Sequence, residues 1–197
     1  DFDSQLEALK AKIAEQEANL FKPIIGCEVY VAKKTRFDRT DKEDRGNYHL
    51  ILLAKNKEGY HNLVKLVSYG FTEGFYYKPR IDKELLRKHS AGLIVSSACL
   101  GGEIPQAIMN GDMAAAEQIA LEFKEIFGDD YYLELMLHKS GDFKIDEDVY
   151  ENQLKVNKAI IELSKKTGIK CIATNDVHFV LAEDAQAHDR LICLNTG

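Results

Sequence analysis

The sequence predicts an α/β protein with a mainly parallel sheet, and three observations support this prediction. Five runs of strand length are rich in β-branched and apolar residues. Most of them are followed by segments whose apolar residues recur at helical spacing. Capping residues (Asp82, Asp112) and stop glycines (Gly128, Gly168) separate the segments. Alternating β and α units favour a mainly parallel sheet, either open or closed into a barrel.

The first part of the chain begins with a predicted helix over residues 4–20, which has a thin apolar stripe and Ser4 as its N-cap. The period then changes, and PIIGCEVYV (23–31) predicts a strand. Residues 35–47 hold eight charges in thirteen positions and predict a solvated loop. YHLILLA (48–54) predicts the second strand, and the next segment (58–69) predicts a helix.

The second part of the chain opens with an aromatic and basic loop, FYYKPR, at residues 75–80. The remaining strands are predicted at 93–97, 131–137 and 169–174. The remaining helices are predicted at 82–89, 103–109, 112–128, 147–167 and from about 182. In folds of this kind the chemistry lies in loops after the strands, so ionisable residues at these places are the candidates for a site.

Composition excludes several classes of protein. The net charge of -6 over 197 residues disfavours tight, isolated binding to a phosphate backbone. No apolar run approaches the roughly 20 residues that a membrane span needs, so we expect no membrane partner. The N-terminus has no signal-peptide pattern, and the four cysteines form no CxxC pair. These features predict a reduced, cytoplasmic protein.

Asp176 and His178 follow the last predicted strand in the segment TNDVHF. Residues two apart in extended chain point to the same side, roughly 6–7 Å apart, so the two side chains can converge on one metal ion. The alternative is an Asx-turn carboxylate beside a surface histidine. Glu28 lies in an apolar strand, where a carboxylate is either bound to a partner or faces outward from an edge strand.

His49 and Cys99 are the next candidates, at the start of the second strand and just after the third. His49 is otherwise a core histidine, and Cys99 a small buried apolar residue. Glu134 and His138 share a strand face and either support a site or form a surface pair. Arg80 either contacts phosphate or is a solvated loop cation.

Taken together, these candidates place a carboxylate, an imidazole, a thiol and an Asp-x-His pair on successive strands or strand ends. Such a set fits a mixed oxygen, nitrogen and sulfur metal cluster, with zinc or manganese as the expected ion. Attack of a metal-bound hydroxide on a phosphoester is the chemistry that such a cluster serves.

Seven segments of the sequence, in order, resemble the polymerase and histidinol phosphatase (PHP) domain, in the version found at the N-terminus of bacterial DNA polymerase III alpha subunits. These segments are KPIIGCEVYV, YHLILLAKNKEGYHNLVKLVS, FYYKPRID, GLIVSSACLGGEIP, YYLELMLH, CIATNDVHFV and AHDRLICLNTG. The resemblance implies a distorted (β/α)7 barrel. It also implies metal ligands at Glu28, His49, Cys99, Asp176 and His178.

The resemblance further implies a di- or trinuclear zinc or manganese centre with phosphoesterase or 3′–5′ exonuclease activity. In other members of the family the domain is structural. A parent polymerase of this kind would use magnesium, and its partners would be DNA, dNTPs and replisome subunits such as a proofreading exonuclease and a sliding clamp. The alternatives are a scaffold module without chemistry and a stand-alone phosphatase for small phosphomonoesters such as histidinol phosphate.

The sequence departs from the family pattern at its start. The family opens with a strand bearing His-x-His, and this chain contains no His-x-His. We therefore expect residues 1–20 to be a helical insertion or linker segment and residues 21–197 to be a partial PHP domain. In this interpretation the domain is truncated at its N-terminus, lacks its first strands and four ligands, and is inactive as an isolated fragment.

Overall fold

A single mixed sheet organises the chain in the computed structural model, which describes residues 1–18, 22–139 and 149–196. Its strands are β1 (Gly26–Ala32), β2 (Asn47–Ala54), β3 (Arg80–Ile81), β4 (Leu93–Ser96), β5 (Tyr131–Leu135) and β6 (Lys170–Ala173). They lie in the order β3-β1-β2-β4-β5-β6. All five predicted strands are present, and the predicted α/β class is confirmed.

Seven α-helices accompany the sheet in the described part of the chain. They are α1 (Phe2–Ala18), α2 (Lys57–Thr72), α3 (Lys83–Lys88), α4 (Glu103–Met109), α5 (Met113–Phe127), α6 (Tyr150–Thr167) and α7 (Ala185–Thr196). The predicted start of α6 at residue 147 lies outside the described residues. None of the helices described is both long and apolar enough to cross a bilayer.

The strand directions explain how distant residues meet at one edge of the sheet. β1 pairs with β3, β4 with β5, and β5 with β6, all in parallel. β2 alone runs in the opposite direction, antiparallel to both β1 and β4. The first residues of β2 therefore lie at the edge where the parallel strands end.

The hydrophobic core lies between the sheet and helices α2 to α6. Leu52, Leu66, Val95 and Leu133 are completely buried there. Asp82 and Asp112 cap α3 and α5 as predicted, each accepting a hydrogen bond from a backbone amide three residues on. Gly168 ends α6 in the left-handed conformation, with φ of 70°, which costs glycine little.

Two predictions about the N-terminal region were wrong. Ser4 does not cap α1, because the helix begins at Phe2 and the Asp1 carboxylate accepts the Asp3 amide instead. The loop over residues 35–47 is not uniformly solvated, because Arg36 and Asp44 are buried in it. Arg36 forms an ion pair of 3.0 Å with Asp82, which compensates the cost of burying its charge.

Candidate metal centre

Glu28, His49 and Cys99 form the candidate metal centre of this structure. Each offers one ligand atom, and the three atoms lie within 4.8 Å of one another. Nδ1 of His49 is 2.6 Å from a carboxylate oxygen of Glu28 and 3.8 Å from the Cys99 sulfur. Three side chains that the sequence places far apart are thus brought to one point.

The antiparallel pairing of β1 and β2 positions the first two of these side chains. Tyr30 lies directly opposite His49, and Glu28 is two residues before Tyr30 on the same strand. Alternate residues of a strand share a face, so Glu28 and His49 project from the same side of the sheet as diagonal neighbours. The Tyr30 ring packs edge-on against the imidazole, with 5.3 Å between ring centroids.

The loop that follows β4 positions Cys99 and encloses His49. Ala98 has a φ of 61°, an uncommon conformation for a residue with a side chain. The Gly101 amide points to the Cys99 sulfur at 3.5 Å, and the Gly101 carbonyl accepts the His49 amide at 3.0 Å. A Cβ at Gly101 would lie 3.0 Å from His49 Nδ1, so glycine lets the loop approach the ring.

Burial and neighbouring carboxylates raise the pKa of the Cys99 thiol. Desolvation is the largest cause, and the Asp176 and Glu28 carboxylates add to it, while the Gly101 amide acts in the other direction. A thiol in these surroundings holds its proton, whereas a bound divalent cation favours the thiolate. The Cys99 sulfur would therefore bind a cation with loss of its proton.

The chemistry of the three donors fits a zinc ion. Zinc binds cysteine, histidine and carboxylate ligands with bonds of about 2.0–2.3 Å, which places tetrahedral ligand atoms about 3.3–3.8 Å apart. The observed separations, 2.6 and 3.8 Å with all atoms within 4.8 Å, need only small side-chain shifts to reach that geometry. Manganese accepts the carboxylate and imidazole but is a poorer partner for the thiolate.

Asp176 and His178 lie in the loop after β6, beside this centre but outside the three-residue cluster. Asp176 is close enough to act electrostatically on Cys99, and its φ of 44° marks a turn that aspartate tolerates. His178 is exposed, and its Nδ1 is 2.7 Å from the Asp176 carbonyl oxygen. The structure thus brings Asp176 near the candidate ligands and leaves the His178 ring turned toward its own loop.

Glu134, which we singled out as a supporting residue, joins two loops of the site. Its carboxylate is buried and accepts the Ala98 amide at 2.8 Å and the Thr174 hydroxyl at 2.6 Å. The Glu134 amide in turn donates to the Ser97 hydroxyl at 2.9 Å. One side chain on β5 therefore holds the loop carrying Cys99 and the loop carrying Asp176.

His138 anchors the same loop from a second direction. Its Nε2 is 2.8 Å from the Asn175 carbonyl, an acceptor, so this nitrogen carries the proton. Its Nδ1 then accepts a hydrogen bond from the Gln153 amide at 2.8 Å. Gln153 is buried on α6, and no sequence signal distinguishes it from the other polar residues of that helix.

Arg80 does not point toward the centre as a phosphate ligand, and it is not a solvated cation either. It is 1% exposed, and its guanidinium donates to the backbone carbonyls of Gly74, Asp44, Arg36 and Asp38. These four bonds use the donors with which arginine would bind a phosphate. The buried Arg80 therefore stabilises the segment before β2 by hydrogen bonds to three of its backbone carbonyls.

Comparison with known proteins places the chain in a family. Residues 3–138 match the PHP domain. The chain is 46% identical over 187 residues to a DNA polymerase III subunit alpha of Chlamydia pneumoniae, a match that covers 89% of the chain and 15% of that protein. It is also 46% identical to the Thermus aquaticus subunit over 177 residues, or 89% of the chain and 14% of that protein.

A third relative, the Helicobacter pylori (strain J99) DNA polymerase III subunit alpha, is 41% identical over 186 residues, with 89% of the chain and 14% of that protein covered. The chain belongs to the PHP domain family, because the matched residues make up more than half of it. It spans about one seventh of the length of the curated relatives it matches.

Proposed function

We propose that this chain is part of the PHP domain of a bacterial replicative DNA polymerase and that it contributes a metal-dependent phosphoesterase site of the 3′–5′ exonuclease type. The observation that carries the proposal is the convergence of Glu28, His49 and Cys99 at one edge of the sheet. The identity of the chain to DNA polymerase III alpha subunits supports the choice of parent protein.

In this proposal Glu28, His49 and Cys99 bind zinc or manganese, and Asp176 and His178, in the loop after β6, add two further ligands. The bound ions would supply an activated water and stabilise the charge on the departing 3′ oxygen of a DNA strand. Other residues of the chain position the ligands. Glu134 and His138 hold the two ligand loops in place.

We further propose that the sheet belongs to a distorted (β/α)7 barrel whose first strands precede this chain. In the described structure, β3 pairs with β1 only at Tyr30 and Val31, which leaves the first half of β1 without a partner on that side. A cavity of about 220 Å³ adjoins this edge and is lined mainly by apolar side chains, including those of Val67, Phe71 and Ile81. An additional strand would pair with the first half of β1 and fill the cavity.

The same proposal assigns residues 1–20 to a helical segment outside the barrel and residues 21–197 to the barrel. Residues 1–16 are all exposed, as expected for a helix that does not pack on the sheet. β6 pairs with β5 from Tyr132↔Lys170 to Leu135↔Ala173, so the part of the chain beyond the matched residues continues the same sheet.

The activity of the parent protein is also a proposal, because the chain spans only about one seventh of its relatives. The parent would be a magnesium-dependent DNA polymerase in the bacterial cytoplasm. It would act on DNA and dNTPs with a proofreading exonuclease and a sliding clamp as partners. The isolated fragment would be inactive, because it contains no His-x-His, the ligand motif with which the family opens.

The test uses the full-length protein that carries this chain, purified without other replisome subunits. Metal content is measured by elemental analysis, and hydrolysis is measured on a DNA strand labelled at its 5′ end, with and without chelator. The double variant Asp176→Ala/His178→Ala is compared with the matched control Asp129→Ala/His61→Ala, which changes residues away from the centre. We expect the first variant to lose metal and hydrolysis while it keeps its thermal stability.

Two outcomes would favour the other candidate functions. Unchanged metal content and hydrolysis together with lost stability would favour a scaffold without chemistry. Hydrolysis of a small phosphomonoester such as histidinol phosphate, with DNA left intact, would favour a stand-alone phosphatase. If the full-length protein binds neither zinc nor manganese, the proposal of a catalytic site is wrong.

A further inference from the structure

Four side chains outside the candidate centre form a continuous row that starts at His49. The Tyr30 ring packs against His49. The Lys78 ammonium lies 4.3 Å from the centroid of the Tyr30 ring and donates a hydrogen bond to the Tyr30 hydroxyl at 3.0 Å. Tyr77 is the neighbour of Lys78 in the chain, and the Arg45 guanidinium lies 4.7 Å from the centroid of the Tyr77 ring. We call these four residues (Tyr30, Lys78, Tyr77 and Arg45) the aromatic–basic row.

The outer members of this row are open to solvent. Tyr77 is 63% exposed, Lys78 and Arg45 are exposed, and Tyr30 is half-buried. Neither Lys78 nor Arg45 forms an ion pair with a carboxylate among residues 1–18, 22–139 and 149–196. The row thus combines an accessible aromatic face with two positive charges that no acidic side chain neutralises.

The backbone at Tyr77 is a second and independent observation. Its φ is 61°, and only two other described residues with a side chain, Ala98 and Asp176, have positive φ. Both of those lie at the candidate centre. Left-handed backbone at a residue with a Cβ is unfavourable and concentrates at functional sites. At Tyr77 this unfavourable conformation holds an exposed aromatic ring, which contacts the Arg45 guanidinium and the edge of the Tyr76 ring.

Aromatic rings that alternate with cations are the means by which proteins bind single-stranded nucleic acid. Each base stacks on a ring, and each cation contacts a phosphate. The row has this alternation and leads to His49. A peptide partner of acidic character would engage Lys78 and Arg45 but would gain little from the flat face of Tyr77.

We infer that the aromatic–basic row binds the single-stranded end of a DNA chain and directs its last nucleotides toward the candidate centre. This inference rests on the proposed function for the choice of DNA. Tyr77 stacks on a base, and Lys78 and Arg45 contact the flanking phosphates. Tyr30 holds the Lys78 ammonium beside His49. Because the whole chain carries a net charge of -6, stacking provides most of the affinity and binding depends only weakly on salt.

The test measures binding of a fluorescent single-stranded oligonucleotide to the 197-residue chain by anisotropy, in EDTA and across a series of salt concentrations. Chelator removes the metal, so binding is measured without hydrolysis and without any role of the centre. We expect Tyr77→Ala to raise the dissociation constant about fivefold or more, while Tyr77→Phe retains the affinity. We expect Lys78→Gln and Arg45→Gln each to reduce the salt slope by roughly 0.7.

Controls separate binding from folding. Lys57→Gln and Lys65→Gln remove exposed cations on α2 and should leave both the affinity and the salt slope unchanged. Tyr77→Gly removes the ring at a position whose φ glycine adopts readily. Its thermal unfolding midpoint should therefore be no lower than that of the unchanged chain, while its affinity for the oligonucleotide falls as in Tyr77→Ala.

The inference fails if Tyr77→Ala and Tyr77→Gly bind the oligonucleotide as tightly as the unchanged chain. It also fails if the α2 controls lower the salt slope as much as Lys78→Gln and Arg45→Gln, because binding is then diffuse. Tighter binding of duplex DNA than of the single-stranded oligonucleotide also overturns the inference. So does an acidic peptide that competes for the row as well as unlabelled single-stranded DNA does. Every measurement is made in EDTA, so the result tests DNA binding by the row without testing metal binding by the centre. The inference and the proposed function can therefore fail separately.

Discussion

A hydrogen bond of 2.6 Å joins the Thr174 hydroxyl to the buried carboxylate of Glu134. The other oxygen of that carboxylate accepts the Ala98 amide. Thr174 stands two residues before Asp176, and Ala98 stands next to Cys99. The relative position of the β4 and β6 loops therefore depends on one side chain of β5. Within the described residues, this side chain forms no hydrogen bond or ion pair with the three clustered ligands.

Substitution of Glu134 separates its hydrogen bonds from its charge. In Glu134→Gln the amide oxygen still accepts from Ala98 and the amide nitrogen donates to the Thr174 hydroxyl, so we expect a loss of less than about 1 kcal/mol in the free energy of unfolding. In Glu134→Leu both donors lose their partner in a buried place, and we expect a loss of more than about 2 kcal/mol. Urea unfolding measures both, and equal losses would contradict this account.

Loss of a candidate ligand should weaken zinc binding. We expect His49→Ala and Cys99→Ser each to reduce the zinc affinity of the chain at least about tenfold. About tenfold is the smallest loss of metal affinity that is typical when a residue supporting a ligand is changed. Competition with a chromophoric chelator gives the affinities. His61→Ala on α2 is the matched control and should bind zinc like the unchanged chain. If all three variants bind zinc equally, the ion lies elsewhere.

Arg80 should be required for stability. Lysine cannot reproduce four hydrogen bonds to separate carbonyls, so we expect Arg80→Lys to lower the free energy of unfolding by about 2–3 kcal/mol. Arg39→Lys, which alters an exposed arginine bonded to the Glu73 carbonyl, should cost less than about 1 kcal/mol. Chemical denaturation compares the two. Stabilisation of the unchanged chain by millimolar phosphate, lost in Arg80→Lys, would instead indicate a phosphate contact.

His89 should make the protein less stable in mild acid. Burial lowers the pKa of His89, and the charges of Lys65 and Lys88 add to this effect. The unfolded chain takes up a proton at this residue below about pH 6.5, whereas the folded chain resists protonation, so stability falls as the pH drops through this range. His89→Phe keeps an aromatic ring for the stack on Tyr69.

The measurement for His89 is the free energy of unfolding between pH 7.5 and pH 5.5. We expect its decline with falling pH to be shallower in His89→Phe than in the unchanged chain. His61→Phe, at an exposed position of α2, is the control and should follow the unchanged chain. Parallel declines in all three proteins would show that other groups cause the acid sensitivity.

The order of strands and helices was predictable because each element carries its own periodicity and capping residues. The direction of β2 was not, since an apolar strand has the same pattern in both orientations and only its partners decide. The two-residue strand β3 (Arg80–Ile81) is too short to leave a pattern. The burial of Arg36 likewise follows from its ion pair with Asp82, 46 positions away, which local sequence does not reveal.

For the candidate site, the sequence pointed to Glu28, His49 and Cys99 because ionisable residues in apolar strands or at their ends need a partner. The structure brings their ligand atoms within 4.8 Å of one another. Gln153 and Thr174 escaped notice, since polar residues on a helix face or after a strand are common and only the fold shows what they bond. The roles of Asp176 and His178 as ligands stay predictions.

The reversed strand β2 also affects the order in which the centre can be assembled during synthesis. Because β2 pairs with both β1 and β4, Glu28, His49 and Cys99 come from two adjacent strands and the loop after a third, all of which leave the ribosome before the loop after β6. Asp176 follows Cys99 by 77 residues (176 − 99), or roughly 4–15 s at ordinary elongation rates. Under the proposed function, the nascent chain would therefore present three of the ligands well before the loop after β6 is made.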